Sequence, residues 1–372
     1  MNPGTRVLIL GNYPADQQQS MLRFASLLET IYTPHAQVVS ISPPVLLARC
    51  PGLPSLIRKY IAYIDKLVIF PVWLILRVPF FDRVHIADHS NAYYSFFCRR
   101  RSTIVTCHDL LAVRAAFGDR STGCETSSFG IWLQRLILAG LRRAGAVAFV
   151  SRATQMDFQV LLGTPPGQRQ AVIPNCLNAV FSPAPEAFPL KPAERALLPM
   201  EPFLLMVGSA LPRKNRSLAL RLLEHLGPDS PYSMVFAGAP LNQDEQTFQD
   251  THSFGSRLHS IRRPSHALLN RLYCRAHALL FPSFSEGFGW PLVEAQTCHC
   301  PVIASTNTSI PEVAGEGALY AGPTEVAAFA AHVHRLEDPA ERARLIALGM
   351  ANTRRFDKAL VGEAYRRFAF QA

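Results

Sequence analysis

Nowhere in its 372 residues does the chain carry an Asp-x-Asp pair, so the short carboxylate motif that would hold a diphosphate through a divalent cation is missing. Its eight cysteines (Cys50, Cys98, Cys107, Cys124, Cys176, Cys274, Cys298 and Cys300) show no paired zinc-ligand spacing, and Cys298-x-Cys300 is too close for the usual two-residue knuckle. No metal site is expected, and the cysteines read as reduced core or loop thiols of a cytoplasmic protein. The most apolar stretch, Leu56 to Phe81, is interrupted by Pro71 and Arg77 and falls short of the ~20 residues that a membrane span requires. No secretory signal is visible: the run Val7 to Leu10 is only strand length and ends at Gly11 and Pro14. Charged residues are scarce, 17% against 49% hydrophobic, which excludes a disordered chain.

What is present is enough chain for two domains of ordinary size. The net charge of +10 is unevenly placed, because residues 1–186 hold 18 Lys and Arg against 10 Asp and Glu. Within that basic half, Leu56 to Phe81 mixes Arg58, Lys59, Lys66 and Arg77 with Ile, Leu, Phe and Trp. Two readings stand: a basic, aromatic-rich helix lying in a membrane interface, or an ordinary domain helix with one buried face. Arg99 to Arg101 extend an anionic-lipid patch or form a solvated turn. No nucleic-acid motif accompanies the charge.

Strand and helix signals alternate. Strands are expected at Arg6 to Leu10, Val38 to Ile41, Val84 to Ala87, Thr103 to Cys107 and Ala146 to Val150, with a helix over Ser20 to Thr30, which is a parallel, doubly wound α/β pattern. Phe181 to Met200 carries prolines at 183, 185, 189, 192 and 199 and reads as a linker. A second alternation follows, with strands at Phe203 to Val207, Met234 to Ala237, Ala278 to Phe281 and Val302 to Ala304. The expected domains are 1–180, a Pro-rich linker 181–200, and 201–355, followed by a helix in 356–372.

Two stretches carry chemistry. FPSFSEGFGWPLVE, Phe281 to Glu294, places Glu286 in a loop after a strand and Glu294 on the first turn of a helix that begins near Trp290 or Pro291. Carboxylates accept hydrogen bonds from sugar hydroxyls, and the amides of Gly287, Phe288 and Gly289 suit an anionic or hydroxylated ligand. The second stretch, Gly208-Ser209-Ala-Leu-Pro-Arg213-Lys214-Asn215, follows the first strand of the second alternation, where loops at carboxyl ends of strands face a ligand. A guanidinium and an ammonium there suit diphosphate oxygens. His108, after the strand Thr103 to Cys107, and Asp88, His89 and Asn91, after Val84 to Ala87, occupy the corresponding ends in the first alternation.

PSFSEGFGWPLVEA followed by PVIASTNTSIPEVAGEGALY resembles the C-terminal signature of the retaining GT-B glycosyltransferases of family four. VTCHDL (Val105 to Leu110), FVSRAT (Phe149 to Thr154), VIPNCLNAVFSP (Val172 to Pro183) and MVGSALPRKN (Met206 to Asn215) add ordered matches. The resemblance covers roughly residue 100 onward. It implies two Rossmann-like domains with parallel sheets facing across a cleft, with the final helix, about Asp357 to Phe370, returning to the N-terminal domain. It also implies metal-independent transfer of a hexosyl group with retention. Glu286 with the Phe288 and Gly289 amides would hold donor-sugar hydroxyls, and Glu294 the ribose. Arg213 and Lys214, with Gly208 and Ser209, would hold the diphosphate, and His108 the sugar near the reacting carbon. No cofactor is expected beyond the donor substrate, a nucleotide diphosphate sugar, with GDP-mannose the first choice from the R-K-N pattern and a UDP-hexose next. The basic N-terminal half suggests as acceptor a saccharide or lipid-linked saccharide met on the inner face of the cytoplasmic membrane.

The sequence departs from that family at several turns. Instead of a glycine pair in the first strand-to-helix loop it has Gly11 and then Asn12-Tyr-Pro-Ala-Asp16-Gln17-Gln18-Gln19, so Asp16 and Gln17 are acceptor-side candidates with Asp88, His89 and Asn91. Cys176 replaces the glycine of I-P-N-G, and His299 replaces a glycine after Cys298. A sugar-nucleotide epimerase, a sugar phosphorylase and a silent sugar-nucleotide or membrane-binding scaffold remain as alternatives.

Overall fold

The computed structural model describes residues 4–16, 18–49, 54–124, 126–177 and 179–370. The chain divides into two compact units. The first comprises Met1–Gly118, Thr126–Asn178 and Lys358–Ala372, and the second Asp119–Glu125 and Ala179–Asp357.

In the first unit, β1 (Arg6–Leu10), β2 (Gln37–Ile41), β3 (Arg83–Ile86), β4 (Thr103–Cys107), β5 (Ala146–Phe149) and β6 (Arg169–Val172) form one parallel sheet in the order β2-β1-β3-β4-β5-β6. Of the inner strands, β4 and β5 are buried at every position, as expected where helices cover both faces of a parallel sheet. The C-terminal helix Lys358–Phe370 belongs to this unit. Val361, Tyr365 and Ala369 join the core of Val7, Ile9, Phe24 and Leu28, and Arg83 Nε donates to the Ala369 carbonyl at 3.2 Å.

The second unit repeats the plan with β7 (Phe203–Gly208), β8 (Ser233–Gly238), β9 (Leu258–Arg262), β10 (Ala278–Phe281), β11 (Val302–Ser305) and β12 (Ala318–Ala321) in the order β12-β11-β10-β7-β8-β9. The two orders differ in a way that matters for binding. Counting strands from the start of each unit, the second reads 6-5-4-1-2-3, the dinucleotide-binding order, and reverses between β7 and β10. The first reads 2-1-3-4-5-6 and reverses between β1 and β3, as in flavodoxin-like sheets.

Three features were not expected. Residues 119–125, assigned by sequence to the first unit, cluster with the second, where a side chain at Gly123 would approach the Arg213 backbone nitrogen at 3.3 Å. The Pro-rich stretch also clusters with the second unit. It is fastened at its start, where the Ser182 N–H donates to Asn270 Oδ1 at 2.9 Å and Asn270 Nδ2 donates back to the Ser182 carbonyl at 3.0 Å. Finally, the helical path passes through Pro71 by way of a wider turn. Ser55–Ile64 runs through a π-helical turn, Asp65–Ile69, into Phe70–Arg77. The wider turn lies just before the proline, whose ring would otherwise crowd the carbonyl four residues back. Among the described residues no helix is long and apolar enough to cross a membrane.

Candidate functional site

In open α/β sheets ligands bind outside the carboxyl ends of strands where the order reverses. In the second unit the two loops at that point follow β7 and β10. They carry Arg213, Lys214 and Glu286.

The β7 loop closes in a short 3-10 turn, Pro212–Lys214, and ends at Asn215, whose φ of 57° is left-handed. Asn215 tolerates this conformation, and its amide donates to the carbonyls of Pro282 at 3.0 Å and Pro323 at 2.7 Å, tying the β7 loop to the loops after β10 and β12. The Phe284 N–H donates to the Arg213 carbonyl at 2.8 Å, a second tie. Glu286 accepts from Lys214 Nζ at 2.6 Å on one oxygen and from Arg213 NH1 at 2.8 Å on the other. Burial alone would raise the Glu286 pKa, but the charges of Lys214 and Arg213, with hydrogen bonds from Lys214 and Ser283, hold it below the ordinary value. Two cations and one buried carboxylate leave a single net positive charge at the head of the sheet. This suits an anionic group such as a phosphate.

The Glu286 backbone is fixed as firmly as its side chain. Its N–H donates to Thr308 Oγ1 at 3.0 Å, and the Ser309 hydroxyl donates to the carbonyls of Glu286 and Phe288. Gly289 has φ of 98°, and a side chain there would press on Phe281 and Leu292, so the turn into the helix Trp290–Thr297 requires glycine. Glu294 is the fifth residue of that helix, past its first turn rather than in it. It is buried and accepts the Tyr273 hydroxyl at 2.7 Å. Burial and the neighbouring Glu294 push the Tyr273 phenol well up, so it stays a donor. Ser209 is exposed beside Gly208.

Three supports were missed by sequence reasoning. Arg216 is buried, stacks over Phe236, pairs with Glu245 at 3.1 Å, and donates to the carbonyls of Gly208, Ala239 and Pro240. It therefore holds the start of the β7 loop. Gly238 at the end of β8 admits no side chain, since a Cβ would lie 2.5 Å from the Gly208 carbonyl oxygen. Tyr273 is the third.

The reversal in the first unit lies between β1 and β3, and the loops there hold Asn12, Gln18, Asp88 and Asn91. Asn12 Nδ2 donates to Asp88 Oδ2 at 2.5 Å and to Gln18 Oε1 at 2.6 Å, while Asn91 Nδ2 donates to Asn12 Oδ1 at 3.2 Å. His89 Nδ1 lies 3.0 Å from Asp88 Oδ1, and Nε2 lies 3.9 Å from Asp109 Oδ1. Burial opposes charge on both Asp88 and His89. Their mutual attraction wins, lowering the Asp88 pKa and raising that of His89. His108 faces the carbonyl of Ala87 through Nε2 at 3.0 Å and meets the edge of Phe24; burial lowers its pKa and keeps it neutral. Asp16 stands apart from this cluster, exposed and paired with Lys66 at 3.1 Å. Gln17 lies outside the described residues. Of the described residues expected in each unit, the structure thus joins Arg213, Lys214 and Glu286 in one cluster, and Asp88, His89 and Asn91 in another. Among the described residues no group of three or more His, Cys, Asp or Glu could hold a metal ion.

Two parallel six-stranded α/β sheets with these orders constitute the GT-B fold. Over 98% of both chains the molecule resembles sucrose-phosphate synthase from Thermosynechococcus elongatus (TM-score 0.68, 17% identity). It also resembles Anabaena HepE in complex with UDP and glucose over 99% of this chain and 100% of that one (TM-score 0.67, 18% identity). Residues 187–349 match the family described as Glycosyl transferases group 1. In sequence the chain is 30% identical over 197 residues to O-antigen chain mannosyltransferase B of Escherichia coli, covering 51% of each. It thus spans about half the length of that curated relative.

Proposed function

We propose that the protein transfers a hexosyl group, mannosyl as the first choice, from a nucleotide diphosphate sugar to a saccharide or lipid-linked saccharide. The observation that carries this reading is the Arg213–Glu286–Lys214 cluster at the strand reversal of the domain matched to the glycosyl transferases. Its cations face the departing diphosphate, Glu286 and the amides of Phe288 and Gly289 meet the donor sugar, and Glu294 meets the ribose. The acceptor hydroxyl attacks the anomeric carbon and the carbon–phosphate-oxygen bond breaks. The bonding pair leaves with the diphosphate, whose oxygen takes the acceptor proton. Attack from the leaving-group face retains configuration, and the two cations take the place of a metal. His108 belongs near the reacting carbon. Asp88, His89 and Asn91, grouped at the first unit's reversal, are suited to acceptor hydroxyls. Mannose as the sugar follows the name of the Escherichia coli relative.

We further place the acceptor at an anionic membrane surface. Support comes from an exposed row at helical spacing, Ile57, Tyr60, Ile64, Val68, Val72 and Leu76, with exposed Arg58 and Arg77 beside it. The only acid between residues 54 and 81 is Asp65, which is buried and accepts from Tyr13 and the amides of residues 46–48. An apolar, acid-free face rimmed by arginine fits an anionic bilayer interface.

The donor reading is tested by thermal stabilisation with GDP, UDP and their sugars under chelation, in parent and Lys214→Ala chains. A shift for one base, lost in the variant, supports it and names the base; no shift for any favours a silent scaffold. The membrane reading is tested by flotation with vesicles of neutral or anionic phospholipid. Loss of binding in a Val68→Glu/Val72→Glu variant supports it, and failure of the parent to bind anionic vesicles ends it.

A further inference from the structure

Behind Glu294, on the contact between the helices His266–Arg275 and Trp290–Thr297, two thiols share one side chain. Cys298 Sγ donates to Asn270 Oδ1 at 3.4 Å, and Asn270 Nδ2 approaches Cys274 Sγ at 3.5 Å. Cys274 Sγ in turn donates to the Ser182 carbonyl at 3.3 Å. Cys298 is buried, whereas Cys274 is half-buried. Both are free. Their surroundings differ in polarity: the neighbouring Cys298 leads the causes that lower the Cys274 pKa, whereas Cys274 and burial raise that of Cys298. The reactive partner is therefore the accessible one.

The position gives the pair its interest. Cys274 directly follows Tyr273, and Cys298 lies one helical turn beyond Glu294 on the same face. The thiol contact and the Tyr273–Glu294 hydrogen bond are thus neighbouring links between the same two helices. We propose that Cys274 and Cys298 are a reversible disulfide site whose closure disturbs the setting of Glu294. The oxidant is a small disulfide of the glutathione class. The Cys274 thiolate attacks it, forming a mixed disulfide and releasing one thiolate. Cys298 sulfur then attacks Cys274 sulfur and releases the second, which takes the Cys298 proton. Two protein thiols are oxidised and one disulfide is reduced to two thiols. Sulfurs held on one Asn270 side chain must close to about 2.05 Å to bond, and the helices must shift to allow it. Tyr273 and Glu294, adjacent to the bond on either side, move with them. The consequence for ligand binding rests on the reading of Glu294 as a ribose contact, while the bond itself does not.

The test equilibrates the full chain in glutathione buffers of rising oxidised fraction and follows intact mass, peptide mapping and GDP or UDP affinity together. The expected result is a cross-link between Cys274 and Cys298, reversed by dithiothreitol. Nucleotide binding should weaken about three- to tenfold in the oxidised form, the loss of one well-placed hydrogen bond. Cys298→Ala should abolish both cross-link and redox sensitivity while binding nucleotide like the reduced parent, and Cys274→Ser should do the same. Oxidised protein carrying only glutathione on Cys274, a bond between Cys298 and Cys300 instead, or a cross-link without effect on affinity would overturn the proposal. If the reduced chain binds neither nucleotide, the donor reading fails, and cross-link formation is still read by mass.

Discussion

The two units share a sheet of six parallel strands, and each places polar side chains where its strand order reverses, yet the chemistry assembled there is opposite. The second unit presents strong cations: Arg213 and Lys214 on a buried Glu286, with net charge of one sign. The first presents a closed network of amides, Asp88 and histidines in which charge is balanced internally. Cations held at fixed positions stabilise charge that develops on a leaving group. Amides and a carboxylate–imidazole pair instead exchange hydrogen bonds with neutral hydroxyls. On the proposed reading, the same reversal serves ionic recognition in one unit and hydroxyl recognition in the other.

The largest expected effects fall on the second unit. Lys214→Ala or Arg213→Ala should lower turnover by roughly a hundredfold or more, about 3 kcal/mol of transition-state stabilisation; steady-state rates with folding checked by circular dichroism measure it. Glu286→Ala should also lower turnover with the fold intact, and unchanged rates would remove that carboxylate from the site. In the first unit, Asp88→Asn strips a buried carboxylate from Asn12, Ser90 and His89. It should cost about 1–3 kcal/mol of stability by denaturant unfolding and lower the pKa of His89 by NMR titration.

Acid should separate the units more gently. His85 is buried against Tyr32 and Thr106, and burial, then His108, pushes its pKa down to about 3. A histidine with a depressed folded pKa contributes stability above its unfolded value, about 6.5, and loses it as pH falls. The first unit should thus weaken from about pH 6.5 toward 3. Glu286, with its lowered pKa, contributes fully above the unfolded carboxylate value near 4.3 and loses its contribution only below it. Hydrogen exchange resolved by unit along a pH series would show the first softening before the second. The smallest effect concerns His299, whose φ of 58° is left-handed. Glycine there should relieve strain and raise stability by at most about 1 kcal/mol, because glycine's own chain entropy offsets part of the gain.

How much of this was legible in the sequence follows from what acts locally. Strand cores such as Phe203 to Val207 and Ala278 to Phe281 declare themselves by unbroken apolar runs, and β7 (Phe203–Gly208) and β10 (Ala278–Phe281) contain them. Loop residues after them, Arg213, Lys214 and Glu286, were legible through resemblance to a long motif. Strand order was not, because pairing joins segments far apart in sequence. Nothing local says that β7 lies beside β10, which brings Lys214 to Glu286. Arg216 reads as an ordinary helix arginine until its carbonyl partners from β8's loop are seen. Pro71 is visible in sequence as an interruption of an apolar run, whereas the π-turn that accommodates it is not. Residues 119–125 carry no compositional mark of belonging to the second unit.

The central claim is that the second unit's strand reversal, and not the first's, holds the donor diphosphate. Titration calorimetry of GDP and UDP into the parent, Lys214→Ala and Asp88→Asn chains under chelation tests it most directly. The expected result is binding by the parent that weakens about ten- to a hundredfold in Lys214→Ala, the loss of a hydrogen bond from a charged group, and is unchanged in Asp88→Asn. Binding that survives Lys214→Ala intact but collapses in Asp88→Asn would contradict it.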